Sequence, residues 1–120
     1  MPGSETLTPL SHAVLLALAD DDLHGYGIIK AVTSQSEGTL RPGTGTLYTA
    51  LQRLMDEGLI GESARGPEPQ EDQRRRYYRL TDAGREAARI ETLRLARLVA
   101  LARDKAIVAE PDLARSLGGR

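Results

Sequence analysis

Hydrophobic residues in the first third of the chain recur with the period of an α-helix. One helical face collects the apolar positions 10, 13, 14, 17 and 18. Thr8 and Pro9 precede them, an N-cap residue and a proline suited to the first turn. A second apolar set at positions 28, 29 and 32 is β-branched and fits a strand equally well, but the polar residues 33–36 favour a helix that starts near Leu23 and turns at Gly38.

The clearest amphipathic pattern lies between residues 44 and 58. Its apolar positions are 47, 50, 51, 54 and 55, and Gly58 follows as a helix end. Residues 41–45 hold a proline and two glycines, which predicts a loop leading into this third helix, with Thr44 mainly as its N-cap. The opposite face of the helix is polar and carries Thr46, Thr49, Gln52 and Arg53.

The second half of the chain changes to a period of two and then returns to a helical period. Residues 59–65 and 74–80 read as two antiparallel strands around a loop at 66–73 that contains two prolines. Thr81 is a predicted cap for a long helix from Asp82 to residue 104 or 106. Pro111 is expected to end any continuation, which leaves residues 107–120 as a tail.

This order predicts a mainly α fold with a small β-hairpin. Three helices followed by a two-stranded hairpin are typical of a winged helix-turn-helix, expected here over residues 1–81, with a C-terminal dimerisation helix at 82–106. In such modules the third helix enters the DNA major groove and the hairpin approaches the neighbouring backbone. The apolar stripe of the long helix is too wide for the surface of a monomer, which predicts an interface there.

The residue types at the third helix suit close approach to DNA. Gly45, Thr46 and Thr49 are small, and threonine can contact a phosphate, a base or a thymine methyl group. Arg53 points the same way and could reach a phosphate or a guanine. Tyr48 has two open interpretations, partial burial in the core or a hydroxyl contact with a phosphate.

Charge is unevenly distributed behind a formal net charge of −1. Residues 1–64 carry eight acidic and three basic side chains, a net of −5, and residues 65–120 carry nine and thirteen, a net of +4. Fourteen of the sixteen basic residues are arginine, which suits phosphates and guanine edges but also follows from base composition of the source genome. Arg74, Arg75 and Arg76 could bind phosphates, or form a solvated face paired with carboxylates such as Glu62.

Several classes of function are disfavoured by composition. The chain has no cysteine, so disulfides, thiolate metal sites and cysteine nucleophiles are excluded. Its two histidines are isolated and do not predict a metal site. No apolar run reaches the roughly 18 residues of a membrane span, and the N-terminus does not indicate secretion. No catalytic set or phosphate-binding glycine loop is visible, so no enzyme and no cofactor are expected.

Three stretches resemble the PadR family of bacterial transcriptional regulators. They are LYTALQRLMDEGLI at 47–60, RYYRLTDAGREA at 76–87 and HGYGI at 24–28, in that family's order over about residues 9–90. The resemblance implies a cytoplasmic, nucleoid-associated homodimer that represses from an inverted-repeat operator, with a small-molecule effector left open. The DNA-facing candidates, by resemblance and by residue type, are Tyr26, Thr44, Gly45, Thr46, Tyr48, Thr49, Gln52, Arg53, Arg74, Arg75 and Arg76. The candidates for the dimer interface are Ile90, Leu93, Leu95, Leu98, Val99, Leu101 and Ala102.

Two features depart from the pattern of that family. The loop at 66–73 is acidic at Glu68, Glu71 and Asp72, so contact with DNA is expected at the arginines that follow rather than at the loop tip. Tryptophan and phenylalanine are absent, so the tryptophan-lined drug site of some family members cannot form. The acidic first half leaves an alternative function, a winged-helix module that binds a protein instead of DNA.

Overall fold

The structure is a computed structural model that describes residues 6–64 and 76–118. Its elements are α1 (Pro9–Ala17), β1 (Leu23–His24), α2 (Gly25–Gln35), α3 (Thr44–Asp56), β2 (Ile60–Ser63), β3 (Tyr77–Leu80), α4 (Asp82–Asp104) and α5 (Glu110–Ser116). The chain divides into two compact units, Met1–Arg89 and Ile90–Arg120.

The first two helices begin at side-chain caps of different chemistry. Thr8 Oγ1 accepts a hydrogen bond from the Ser11 amide at 3.0 Å, and Pro9 stands in the first turn, as predicted. His24 caps α2, where its Nδ1 accepts from the Gly27 amide at 3.1 Å. This second cap was not predicted, because imidazole is not among the usual N-cap side chains.

A three-stranded antiparallel sheet in the order β1-β3-β2 replaces the predicted two-stranded hairpin. Leu23 pairs with Tyr78 and so adds β1 to the free edge of β3. Ile60 faces Leu80 on the other side of β3, which confirms the antiparallel pairing of the two predicted strands. A strand of two residues has no periodicity of its own, so the sequence pattern could not reveal β1.

Some predicted boundaries were wrong. The strand expected at 59–65 is limited to Ile60–Ser63, and the one expected at 74–80 is described only as Tyr77–Leu80. The loop at 66–73, Arg74 and Arg75 lie outside the described residues. The expected tail contains helix α5, with Pro111 in its first turn, where proline is tolerated because that N–H needs no helical partner.

The core of the first unit joins α1, α2, α3 and the sheet. Leu47, Leu51 and Leu54 on one face of α3 are almost fully buried, which confirms the predicted amphipathic pattern. The other buried hydrophobic residues are Ala13, Val14, Leu15, Leu18, Ile28, Val32, Ile60, Tyr78 and Ala88. This packing leaves the opposite face of α3 open to solvent.

The start of α4 is fastened to the turn that follows α3. Thr81 Oγ1 accepts from the Gly84 amide at 3.0 Å, as predicted for a cap, and also donates to the Gly58 carbonyl at 2.7 Å. The Thr81 amide donates to the Leu59 carbonyl at 3.2 Å. Gly84 lies so close to this turn that a Cβ there would overlap the Leu59 carbonyl oxygen.

Helices α1 to α3 followed by the antiparallel sheet form a winged helix-turn-helix. The predicted fold class, mainly α with a small β component and a long C-terminal helix, is therefore confirmed. Gly58 adopts a left-handed conformation with φ of 76°, and the Leu59 amide reaches back to the Leu54 carbonyl at 2.9 Å. This helix end turns the chain from α3 directly into β2, which forms the wing together with β3.

Candidate nucleic-acid interface

The solvent-facing side of α3 is an open and nearly flat surface, with a shallow depression between its side chains that we call the α3 groove. Five of the predicted DNA-facing residues line it, together with one that was not predicted, Asp56. The lining residues are Gly45, Tyr48, Thr49, Gln52, Arg53 and Asp56. All six are exposed, so the groove is a surface feature built on a helix whose other face is fixed in the core.

The prediction that Thr44 is the N-cap of α3 was wrong. The N-cap is Gly43, and no side chain caps the helix; Thr44 is the first helical residue and is exposed. Thr46 is exposed in the same turn but does not line the groove. The two threonine hydroxyls therefore stand at the positive end of the helix dipole without a capping task, where an anion would be stabilised.

Tyr48 lies at the edge of the groove rather than in the core. Its side chain is 45% exposed, and its hydroxyl rests against Gly25 at the start of α2. A Cβ on Gly25 would lie 2.8 Å from Tyr48 Cζ and nearer still to the hydroxyl oxygen. The glycine therefore makes room for the tyrosine, which links α3 to the neighbouring helix.

The electrostatic surroundings of Tyr78 on β3 include side chains from α3 and from β2. Burial raises the pKa of Tyr78, the nearby Tyr48 hydroxyl raises it further, and the Arg76 guanidinium, which hydrogen-bonds the Tyr78 hydroxyl, opposes both effects. Arg76 Nε also lies 3.5 Å from Glu62 Oε2 on β2. Both charged side chains of this pair are largely exposed, so the pair is weak and Arg76 stays accessible to another anion.

Tyr26 projects from the first turn of α2 and is 67% exposed. Its ring stacks on His24 with centroids 6.5 Å apart, and Lys30 Nζ lies 5.7 Å from its centroid. His24 also meets the edge of Tyr77 on β3, at 5.2 Å. Sequence reasoning missed Lys30 and His24, although the spacing of Lys30, four residues after Tyr26 on one helix, was a usable signal.

Acidic side chains accompany the basic one on α3. Arg53 Nε lies 4.0 Å from Glu57 Oε2, a contact at the limit of an ion pair. Gln52 Nε2 donates to Asp56 Oδ1 at 2.9 Å. The groove therefore offers hydrogen-bond donors and acceptors rather than a uniformly positive surface.

In the second unit, α4 presents a broad apolar surface. The exposed members of the predicted interface are Ile90, Leu93, Leu95, Leu98, Val99 and Leu101, and Ala102 is half-buried. Among them, the Arg94 guanidinium binds both oxygens of Glu91, at 3.1 and 2.6 Å. The Glu91 hydrogen bond raises the pKa of Arg94.

Over residues 6–64 and 76–118, no helix is long and apolar enough to cross a membrane. Within these ranges there is also no group of acidic, histidine or cysteine side chains that could hold a metal ion.

Comparison with known proteins places this fold in a family. The model of the transcriptional regulator PadR-like family matches residues 14–90, which include α2, α3 and the sheet. The chain belongs to the PadR-like family of transcriptional regulators. The family resemblance predicted from the three sequence motifs is thereby confirmed.

Curated relatives are longer than this PadR-like chain. It is 43% identical over 86 residues to an uncharacterized 37.1 kDa protein in transposon TN4556 of Streptomyces fradiae, which covers 71% of this chain and 22% of that protein. It is 38% identical over 47 residues to the transcriptional regulator YqjI of Escherichia coli K12, covering 39% and 23%. The chain thus spans less than a quarter of the length of either relative.

Solved structures share the fold of this PadR-like chain. A PadR family transcription regulator from Clostridium difficile R20291 aligns with a TM-score of 0.68 and 23% identity, over 84% of this chain and all of the other. The PcaV transcriptional regulator of Streptomyces coelicolor aligns with a TM-score of 0.67 and 28% identity, over 94% of this chain and 73% of the other.

Proposed function

We propose that this PadR-like regulator binds DNA as a homodimer and represses transcription from an inverted-repeat operator. The observation that carries the proposal is the groove on α3, where exposed small and polar side chains cover a helix whose other face is locked in the core. A helix held in this way fits the major groove, which is about 12 Å wide and admits one α-helix.

The elements around α3 support two kinds of contact. Gly45 and Thr49 allow close approach, whereas Gln52 and Arg53 are long enough to reach base edges. Outside the groove, Tyr26, Lys30 and Arg76 offer exposed hydroxyl and cationic groups to the DNA backbone. Phosphate contacts set the register of the protein on the duplex, and base contacts select the sequence.

The apolar surface of α4 supports the homodimer. Six large hydrophobic side chains that are each at least 37% exposed on one helix favour a protein partner, and a second copy supplies the same surface. A two-fold dimer presents two copies of α3 to two half-sites, which an inverted repeat provides. We further propose that the protein acts in the cytoplasm on chromosomal DNA and that a small-molecule effector releases it from the operator.

Fluorescence anisotropy with labelled duplexes tests the binding. We expect the full chain to bind a fragment from upstream of its own gene, with affinity that falls steeply as salt rises because counterions are released from the phosphates. Arg53→Ala should weaken specific binding by about 1–3 kcal/mol if Arg53 contacts a base, and Arg115→Ala, which removes the same charge on α5, should change it little.

The outcome separates three interpretations. A loss for Arg53→Ala that is equal on specific and random DNA would make Arg53 a phosphate contact and leave the proposal intact. Absence of binding to every upstream fragment at low salt would contradict the proposal. Capture of a protein partner together with that absence would favour the protein-binding alternative.

A further inference from the structure

Gln52 and Asp56 lie one turn apart on α3 and form a hydrogen bond whose donor and acceptor pattern can select a base. We infer that Gln52 reads an adenine in the operator and that Asp56 is the positioning residue that orients its amide. The inference rests on the proposed function, since it assigns a base to a residue of the same groove. Both side chains are exposed and line that groove.

The hydrogen bond between the two side chains fixes which way the amide faces. An ionised carboxylate can only accept, so Gln52 must present its nitrogen, and Nε2 lies 2.9 Å from Asp56 Oδ1. One N–H of the amide is used in this bond. The second N–H and the oxygen Oε1 remain for an external partner.

A side-by-side donor and acceptor match one base edge in the major groove. Adenine presents N7 as an acceptor and its N6 amino group as a donor, and a glutamine amide satisfies both at once. Guanine presents two acceptors, N7 and O6, so Oε1 of Gln52 would face O6 without a hydrogen between them. Cytosine and thymine each offer one polar partner and satisfy half of the amide.

Asp56 limits the freedom of the amide before DNA arrives. A glutamine side chain has three rotatable bonds, and fixing them at binding reduces affinity. The contact with Asp56, one helical turn later, holds the amide in place in the free protein. The same contact also supports the helix, as glutamine–aspartate pairs at this spacing do, so the test must separate base selection from helix stability.

Selection from a randomised duplex pool, followed by sequencing, supplies that test. We expect wild-type protein to enrich an adenine at one position of each half-site. Gln52→Ala should lose the preference at that position only, and Asp56→Ala should reduce it at least about fivefold while the other positions stay unchanged. Glu57→Ala is the matched control. It also removes one negative charge, one residue later, but Glu57 lies beside Arg53 instead of Gln52.

A chemical probe then tests the two hydrogen bonds directly. Replacing the selected adenine by 7-deazaadenine removes the N7 acceptor and keeps the N6 amino group. We expect this change to weaken wild-type binding at least about fivefold and to leave Gln52→Ala almost unaffected. Thermal unfolding of each variant, followed by circular dichroism, serves as the measure of helix stability.

Several results would overturn the inference. One is that Gln52→Ala changes the enrichment of adenine at no position of the selected operator. Another is an adenine preference that survives in Asp56→Ala, which would remove the positioning role. A third is an equal gain in affinity for all sequences in Asp56→Ala and Glu57→Ala, which would make both carboxylates simple repellents of phosphate. Failure of wild-type protein to enrich any sequence would instead contradict the proposed function itself.

Discussion

Gly45 stands in the first turn of α3, and no described residue requires a glycine there. A Cβ at this position would meet no atom of residues 6–64 or 76–118 within 4 Å, and its backbone is not in the left-handed region. Glycine inside a helix costs about 0.5–1 kcal/mol relative to alanine. The free space therefore favours a partner outside the chain that approaches the helix closely, as a DNA backbone does.

Gly45→Ala should therefore act with opposite sign on stability and on binding. We expect the melting temperature to rise and the affinity for operator DNA to fall, because the new methyl group stands between the helix and the duplex. Gly27→Ala, in the first turn of α2, is the control, since its Cβ would make ordinary contacts at 3.6 Å. Unchanged operator affinity in Gly45→Ala would contradict the close approach.

Tyr78 gives a prediction in alkaline solution. Its pKa lies above the ordinary value of 10.0, chiefly because of burial, so the folded state favours the neutral phenol. The stability that this provides is present below pH 10 and is lost as the pH rises through the raised pKa. We expect part of the tyrosinate absorbance to develop above the ordinary pH range of a phenol and to be missing in Tyr78→Phe. A titration curve in which Tyr78→Phe loses absorbance only within the ordinary range would refute the assignment.

Helix caps show what can and cannot be predicted at this scale. Thr8 and Thr81 were recognised because threonine stands directly before an apolar pattern, and both accept the expected amide. Thr44 was misassigned because Gly43 is also an acceptable cap, and residue type alone does not fix which backbone starts the helix. His24 was missed because histidine is not among the usual N-cap residues, although its ring nitrogen accepts from the Gly27 amide.

At the scale of elements, close contacts fix the start of α4 to the turn that follows α3. Thr81 bonds the carbonyls of Gly58 and Leu59, and Gly84 packs against the second of them. These contacts connect the end of α3 to the start of α4 through backbone atoms.

Gly84→Ala should destabilise the fold although alanine is the better helix former. Its Cβ would overlap the Leu59 carbonyl oxygen and lie 2.8 Å from Leu80 Cδ1. Overpacking of this kind costs about 1–3 kcal/mol, which exceeds the helix-propensity gain. Urea unfolding measures the change, with Gly27→Ala again as the control. A more stable Gly84→Ala variant would show that the junction is looser than its distances indicate.

Long periodic elements were predictable, whereas the two-residue strand β1 and the short helix α5 were not. The bounds of α4, Asp82–Asp104, agree with the sequence pattern because its cap and apolar positions extend over many turns. Strand β1 is defined by pairing with Tyr78, a residue more than fifty positions away, and no local pattern encodes such a partner. The role of Asp56 was missed for a related reason, since its contact with Gln52 depends on the rotamers of both side chains.

At the scale of the whole molecule, the apolar surface of α4 predicts assembly. Leu98 is 49% exposed in the midst of that surface. Leu98→Glu would place a charge in an apolar interface, so we expect a monomer in analytical ultracentrifugation and a large loss of operator affinity. Leu117→Glu, at an 82% exposed position after α5, should leave assembly unchanged. A Leu98→Glu protein that remains dimeric would locate the interface elsewhere.

The net charge of −1 is compatible with DNA binding but affects non-specific and specific binding differently. Non-specific binding depends on total phosphate attraction, which is weak for a protein with this balance. In the proposed mode of binding, specific recognition depends instead on the few groups of the α3 groove and on pairing of two protomers. We therefore expect a high ratio of specific to random binding, and low affinity for an isolated half-site.

Footprinting on the DNA upstream of the gene tests the central claim, that two copies of α3 read two half-sites. We expect a protected region with two-fold symmetry and half-sites whose centres lie about 10–10.5 base pairs, or a multiple of that, apart. We also expect the protection to disappear in Leu98→Glu at concentrations where the wild type protects fully. No protection at low salt, or protection without symmetry, would contradict this claim.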